Sequence, residues 1–296
     1  MAVAESWNSE RVKIQLETAA NRVGHPPQYV ISDNASVLRK GIKCAGLKHQ
    51  RDISHSLGVF LERTYKNESD FITYCKLMTE PKFKYNMKKV AYLLPPTQRT
   101  VARFINMSNW IKWSSSLLRI YHTLSVEEKQ IFSFIPANAS LIDEFSEVIE
   151  CVNTIESLCK NKGLSGEILI KCQQIIKRHL LSGNQRMIQL GESISKFLME
   201  EIKIVEPDTA HNNSSDIIES IFGKYKARKS PNKLNGVTSF ILYLPLYNRL
   251  SGDYDGKYDF KEALETTTIK DINLWTKENL RQNLMQLRKK KLNKVA

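Results

Sequence analysis

The sequence predicts an α/β protein that is mostly α, in which a fragment of sheet is interrupted by a large all-α segment. Three observations predict it. Tyr29-Val30-Ile31-Ser32 has strand propensity, runs into Asp33, and leads at once into helix-compatible sequence. A second short segment ends in Asp52-Ile53-Ser54-His55 and also leads into a helix, so the opening reads helix–strand–helix–strand. From Ser54 to about Glu206 the strand signal vanishes and amphipathic helices follow one another. The expected organisation is a partial α/β core over 1–58, a helical domain over 59–208, and a return to the core over 209–296.

The elements follow from spacing and punctuation. Residues 5–23 carry Trp7, Val12, Leu16, Ala19, Ala20 and Val23 at near-helical spacing, and Gly24 with Pro26-Pro27 ends that helix. A strand over 28–32 precedes Asp33. The segment 35–45 places Val37, Leu38, Ile42 and Ala45 on one side of a helix stopped by Gly46, and 47–52 is a weakly signalled strand. Helices are then expected over 54–66, 68–79, 82–93, 98–122, 125–135, 139–162, 166–182 and 185–204. Pro95-Pro96, Asn161-Lys162-Gly163 and Ser182-Gly183-Asn184 mark breaks, and Ser125-x-x-Glu128 has the form of a capping box. A polar linker over 207–215 leads into a helix that carries Glu219 and runs to about Ala227, followed by the basic loop 228–233. Val237–Leu250 is open between helix and buried segment, and 253–259 is a turn. Residues 268–293 form a closing helix with Ile272, Trp275, Leu280, Leu284 and Leu287 on its apolar side, ending in Arg288-Lys289-Lys290-Lys291.

Composition narrows the function. Hydrophobic content of 42% over 296 residues suits a packed globular core and argues against overall disorder. Lys and Arg number 44 against 31 Asp and Glu, and the resulting charge of +13 favours a polyanionic partner, nucleic acid first. No secretory signal is expected at the N-terminus, and no apolar run approaches the roughly 20 residues that cross a bilayer. The five cysteines include no C-x-x-C pair and read as reduced, mostly buried thiols.

Asp33 is expected at the C-terminal end of a strand, the edge where α/β sheets gather their chemistry. A carboxylate there can hold divalent metal, or it can cap a helix beginning at Asn34. Glu219 carries the same ambiguity, because Asp216-x-x-Glu219 fits a capping box. Asp52 and His55 share a face across a strand-to-helix junction and can lock it by a hydrogen bond. A zinc site recruiting Cys44 and His49 as well would match no standard ligand spacing. Trp110 and Trp113 read either as core residues or as stacking surfaces near basic side chains.

An aspartate on a strand, a D-x-x-H, a long helical interruption and a glutamate on a basic helix together resemble DDE transposases of the ribonuclease H-like superfamily. The nearest pattern is the group with a helical insertion before the catalytic glutamate, as in hAT-type and some bacterial insertion-sequence enzymes. The resemblance implies a partial ribonuclease H-like sheet, Asp33 and Glu219 as catalytic and metal-binding carboxylates for Mg²⁺ or Mn²⁺, and Asp52 and His55 in support. It implies DNA contacts from Lys88, Lys89, Arg99, Arg103, Lys112, Trp113, Lys224, Lys226, Arg228 and Lys229, with transposon ends and target DNA as partners. A homo-oligomer, no membrane, and a bacterial cytoplasmic, nucleoid-associated location belong to the same expectation. No aspartate precedes Asp33, so the chain reads as an N-terminally truncated transposase, inactive alone. A non-catalytic DNA-binding or transposition-inhibiting protein, and a helical interaction module without nucleic acid, are the alternatives.

Overall fold

A computed structural model of the chain describes residues 6–97, 107–204, 209–249 and 260–293. The fold is mostly helical, and among the described residues its sheet has two strands. It divides into two compact units, one spanning Asn8–Ser214 and the other Ser215–Ala296 together with Met1–Trp7.

The first unit begins with helix α1 (Ser9–Val23), capped by the Asn8 side chain on the Arg11 N–H and ended by Gly24 at φ 89°. Strand β1 (Val30–Ser32), helix α2 (Ser36–Cys44) and strand β2 (His49–Arg51) then form a βαβ unit. The strands pair in parallel, with Val30 opposite His49, Ile31 opposite Gln50 and Ser32 opposite Arg51. A parallel pair needs a crossover, and α2 supplies it. Helix α1 packs on α2 at a close approach: a Cβ on Gly41 would lie 2.6 Å from the Val12 side chain and 2.9 Å from the Ser9 carbonyl oxygen.

The helical run follows as α3 (Ile53–Tyr65), α4 (Ser69–Tyr85), α5 (Met107–Ile120), α6 (Val126–Ile131), α7 (Phe134–Ala137), α8 (Ala139–Lys162), α9 (Gly166–His179) and α10 (Gln185–Glu201). Its core joins Ile53, Leu57, Leu61 and Tyr65 of α3 to Phe71, Tyr74 and Met78 of α4 and to the long face of α8. Phe145 lies 4.4 Å from Tyr65 and 5.4 Å from Phe71 between ring centroids, close enough for packing beyond area burial. The 24 residues of α8 make a strut of about 36 Å on which α3, α5 and α9 rest. Arg186 ties three helices together. Its guanidinium bonds Glu144 at 2.6 and 2.7 Å and Asp70 at 2.8 and 3.1 Å, and lies over the Tyr65 ring. Those hydrogen bonds hold the Asp70 carboxyl below its ordinary value. Burial pushes the Tyr74 hydroxyl up to about 12, while Ser114, 2.6 Å away, bonds it.

Several boundaries differ from the sequence expectation. The break placed between 79 and 82 is absent: α4 runs through Pro81, whose side chain is buried with Phe71, Tyr74 and Met78. Burial of that face outweighs the backbone hydrogen bond that proline cannot make. The expected helix 125–135 is two helices, α6 and α7, the first opened by the Ser125–Glu128 capping box. Of the expected helix 98–122, residues 98–106 lie outside the described residues.

The second unit contains α11 (Asp216–Arg228), α12 (Leu244–Arg249), α13 (Phe260–Thr266), α14 (Ile269–Asn279) and α15 (Leu284–Leu292). The Tyr225 and Phe240 rings stack at 5.4 Å, Tyr243 adds a third ring at 5.0 Å, and Arg228 sits over the buried Tyr247 ring. The single closing helix expected over 268–293 is two helices, because α14 stops at Leu280 in extended backbone and Asn283 opens α15. Among the described residues no helix is long and apolar enough to cross a membrane.

Candidate functional site at the strand ends

The parallel register brings two sequence-predicted residues to one edge. Ser32 and Arg51 are opposite partners, so Asp33 and Asp52 are the first residues past the paired strands, and the Asp52 N–H donates to the Ser32 carbonyl at 2.9 Å. Neighbouring strands lie roughly 4.8 Å apart, which makes the two residues neighbours at the C-terminal edge of the sheet.

Their environments differ. Asp33 is exposed, and its Oδ1 accepts the Ala35 N–H at 3.2 Å. Helix α2 begins at Ser36 with Ala35 as its cap residue and no side-chain cap, so the helix-capping reading of Asp33, with a helix from Asn34, does not hold. Asp52 is buried at 1% exposure and is the N-cap of α3, its Oδ1 accepting the His55 N–H at 2.9 Å. The D-x-x-H spacing thus has a local cause, a cap between Asp52 and the third residue of the helix it opens. The partly exposed His55 side chain belongs to the first turn of α3.

Beneath this edge lies a polar network. Ser32 Oγ donates its one proton to the Asp33 carbonyl at 2.8 Å and therefore accepts from His49 Nε2 at 2.9 Å. Burial lowers the His49 imidazole below its ordinary value, and Arg51 and Arg39 add to that effect. On the other side of β2, Gln50 Nε2 donates to Glu201 at 2.6 Å and the Arg51 N–H donates to the same carboxylate at 2.9 Å. The Arg51 guanidinium pairs with Glu201 and, at 2.8 Å, with Glu200. Burial pushes the Glu201 carboxyl up, against those donors. His211 closes the network through Nε2 to Gln50 Oε1 at 3.1 Å, and burial lowers its imidazole too.

His211 also marks where the helical excursion ends. It forms a two-way backbone bridge with Leu164, at 2.8 and 3.1 Å, and Gly163 at φ 74° lets the chain pass the His211 carbonyl closely. Two residues later, Asn213 accepts the Ile53 N–H at 2.9 Å. The chain therefore leaves the sheet at Ile53 and comes back beside it at Asn213.

Lys88, Lys89 and Lys112 are exposed, and Lys88 lies 5.2 Å from the Tyr85 ring centroid. Trp113 is half-buried, with its indole N–H on the Leu93 carbonyl at 3.1 Å and its ring edge on Phe132, while the buried Trp110 donates to Pro96. Arg99 and Arg103 lie outside the described residues. In the second unit, Lys224, Lys226 and Arg228 of α11, with Lys229 after it, are exposed. Glu219 lies in the first turns of α11; the cap residue is Ser215, without a side-chain cap, so the Asp216–Glu219 capping box is not formed. The Ser215 hydroxyl donates to Glu219 at 3.4 Å instead.

Sequence reasoning missed Gln50, Glu201 and His211. A glutamine inside a three-residue strand was the available signal, since it must find partners when buried. Comparison of the chain with protein-family models, with curated proteins and with solved structures finds no match.

Proposed function

We propose that the chain is the insertion-bearing part of a DDE-type DNA transposase with a ribonuclease H-like core. The observation that carries this reading is the strand edge: Asp33 and Asp52 follow two paired parallel strands, and the helical excursion opens and closes there, at Ile53 and Asn213. Six residues beyond Asn213 in sequence (219 − 213), the chain reaches Glu219, the acid that such enzymes carry after their insertion.

In this reading Asp33 and Glu219 are the carboxylates that hold Mg²⁺ or Mn²⁺, with Asp52 and His55 keeping the junction between β2 and α3 in place. Asp33 suits a hard cation: it is an exposed oxygen donor with Oδ2 outside its bond to Ala35. The ion supplies polarisation of a phosphoryl oxygen and activation of water. No aspartate stands before Asp33 in the sequence, so Asp33 and Glu219 are the two acids assigned to the site here. The exposed Lys224, Lys226 and Arg228 of α11 also fit a second reading, a non-catalytic DNA-binding protein that restrains transposition. The basic side chains hold DNA backbone in either case, at transposon ends and target, in a nucleoid-associated homo-oligomer.

Titration of duplex DNA into the full chain at rising salt tests the shared claim. Each phosphate contact contributes about 0.9 to the slope of log affinity against log salt, so steep weakening is expected. Salt-independent affinity, or no binding at low salt, removes DNA from the account.

A further inference from the structure

The α14–α15 pair and the segment 237–239 line an open cleft of about 1040 Å³ that holds none of the site residues assigned above. It exists because the closing helix is broken. Leu280 leaves the helix in extended backbone, and Asn283 restarts it through a reciprocal cap with Gln286, at 2.8 and 3.1 Å. Four cationic residues line the cleft: Lys277 from α14, Arg281 from the turn, and Lys289 and Lys290 from α15. Among the described residues that line it none is aspartate, glutamate or aromatic, and apart from the cations they are mainly amides and hydroxyls such as Asn283 and Gln286.

Cations in the last turn of a helix are favoured by the helix dipole without any ligand, and that covers Lys277 on α14 and Lys289 and Lys290 on α15 taken one helix at a time. It does not account for Arg281 in the turn, nor for the cations of two helices lining one cavity. A concave surface lined by one sign of charge focuses its field and concentrates counter-ions of the other sign. The described lining residues carry no rings on which unstacked bases could rest, so they offer no single-strand stacking platform. Cations with flanking amides are the chemistry that contacts phosphate and sugar in a duplex.

We infer that this cleft is a second DNA-binding site, a clamp on the sugar–phosphate backbone of duplex DNA, formed by Lys277, Arg281, Lys289 and Lys290. It rests on the DNA-binding reading above, and it adds a site separate from the basic residues of α11. The clamp reads no sequence, and its contribution to affinity is electrostatic.

The test compares three full-length proteins by DNA titration across salt concentrations: wild type, the variant Lys277→Gln/Arg281→Gln/Lys289→Gln/Lys290→Gln, and a charge-matched control. The control, Lys13→Gln/Lys66→Gln/Lys160→Gln/Lys171→Gln, removes four lysines ion-paired to glutamates in the first unit. The clamp variant is expected to lose about three to four units of salt slope, at about 0.9 per contact, while the control stays near wild type. A clamp variant that keeps the wild-type slope, or a control that falls equally, overturns the clamp while leaving the DNA-binding reading intact. A wild type that does not bind overturns both. Acetylation footprinting of wild type with and without duplex covers a variant that fails to fold. Lys277, Lys289 and Lys290 should be protected relative to Lys66 and Lys171, and equal labelling of all five contradicts the clamp.

Discussion

Glu201, the last residue of α10, accepts the backbone N–H of Arg51 at 2.9 Å across 150 residues of chain. The same carboxylate takes Gln50 Nε2 and the Arg51 guanidinium. A strand edge presents unpaired N–H groups, and here the end of a helix supplies an acceptor for one of them.

Glu201→Ala therefore leaves the buried Gln50 amide and the Arg51 guanidinium without their shared acceptor. The expected loss is about 1–3 kcal/mol, the range for leaving a buried donor unsatisfied, because Arg51 keeps Glu200. Glu201→Gln keeps an acceptor oxygen and loses less. Urea midpoints of the two variants and wild type check the order.

Gly41→Ala tests the α1–α2 contact. The new Cβ meets Val12 at 2.6 Å and a backbone oxygen at 2.9 Å, so an overpacking cost of about 1–3 kcal/mol is expected. Val12→Ala in the same chain should return part of that cost, seen as a double-mutant cycle whose total is less than its sum. Strict additivity would show that the Val12 Cγ1 methyl is not the obstacle.

Mild acid should weaken the first unit through its buried histidines. His49 and His211 both have imidazoles lowered by burial from the ordinary 6.5. A depressed histidine means that the unfolded chain binds more protons, so stability is full above 6.5 and falls as pH drops through that value toward the folded one. Denaturation midpoints at neutral pH and below 6 should show the fall, and His211→Gln should flatten it. A midpoint unchanged over that interval contradicts the assignment.

What was legible in the sequence is what local chemistry determines. The 24 residues of α8 match the expected 139–162, since Gly163 stops the helix at φ 74°. The Ser125–Glu128 box and the strands running into Asp33 and Asp52 were equally local. Pro81 misled because its cost is offset by tertiary burial that no local signal reports. The break at 280–283 was signalled by Asn283-x-x-Gln286, but the apolar spacing from Ile272 to Leu287 concealed it. Glu201 was not legible, because Gln50 and Arg51 are remote in sequence and its place among helical acids resembles that of a solvated residue.

Manganese binding to the full chain, followed by electron paramagnetic resonance, tests most directly whether Asp33 and Glu219 are the metal-holding acids of a DDE-type site. Saturable binding that Mg²⁺ competes away is expected. Asp33→Asn and Glu219→Gln should each abolish it, while Glu17→Gln on α1 leaves it unchanged. Binding that survives both Asp33→Asn and Glu219→Gln, or no Mn²⁺ binding by the wild-type chain, would contradict the account.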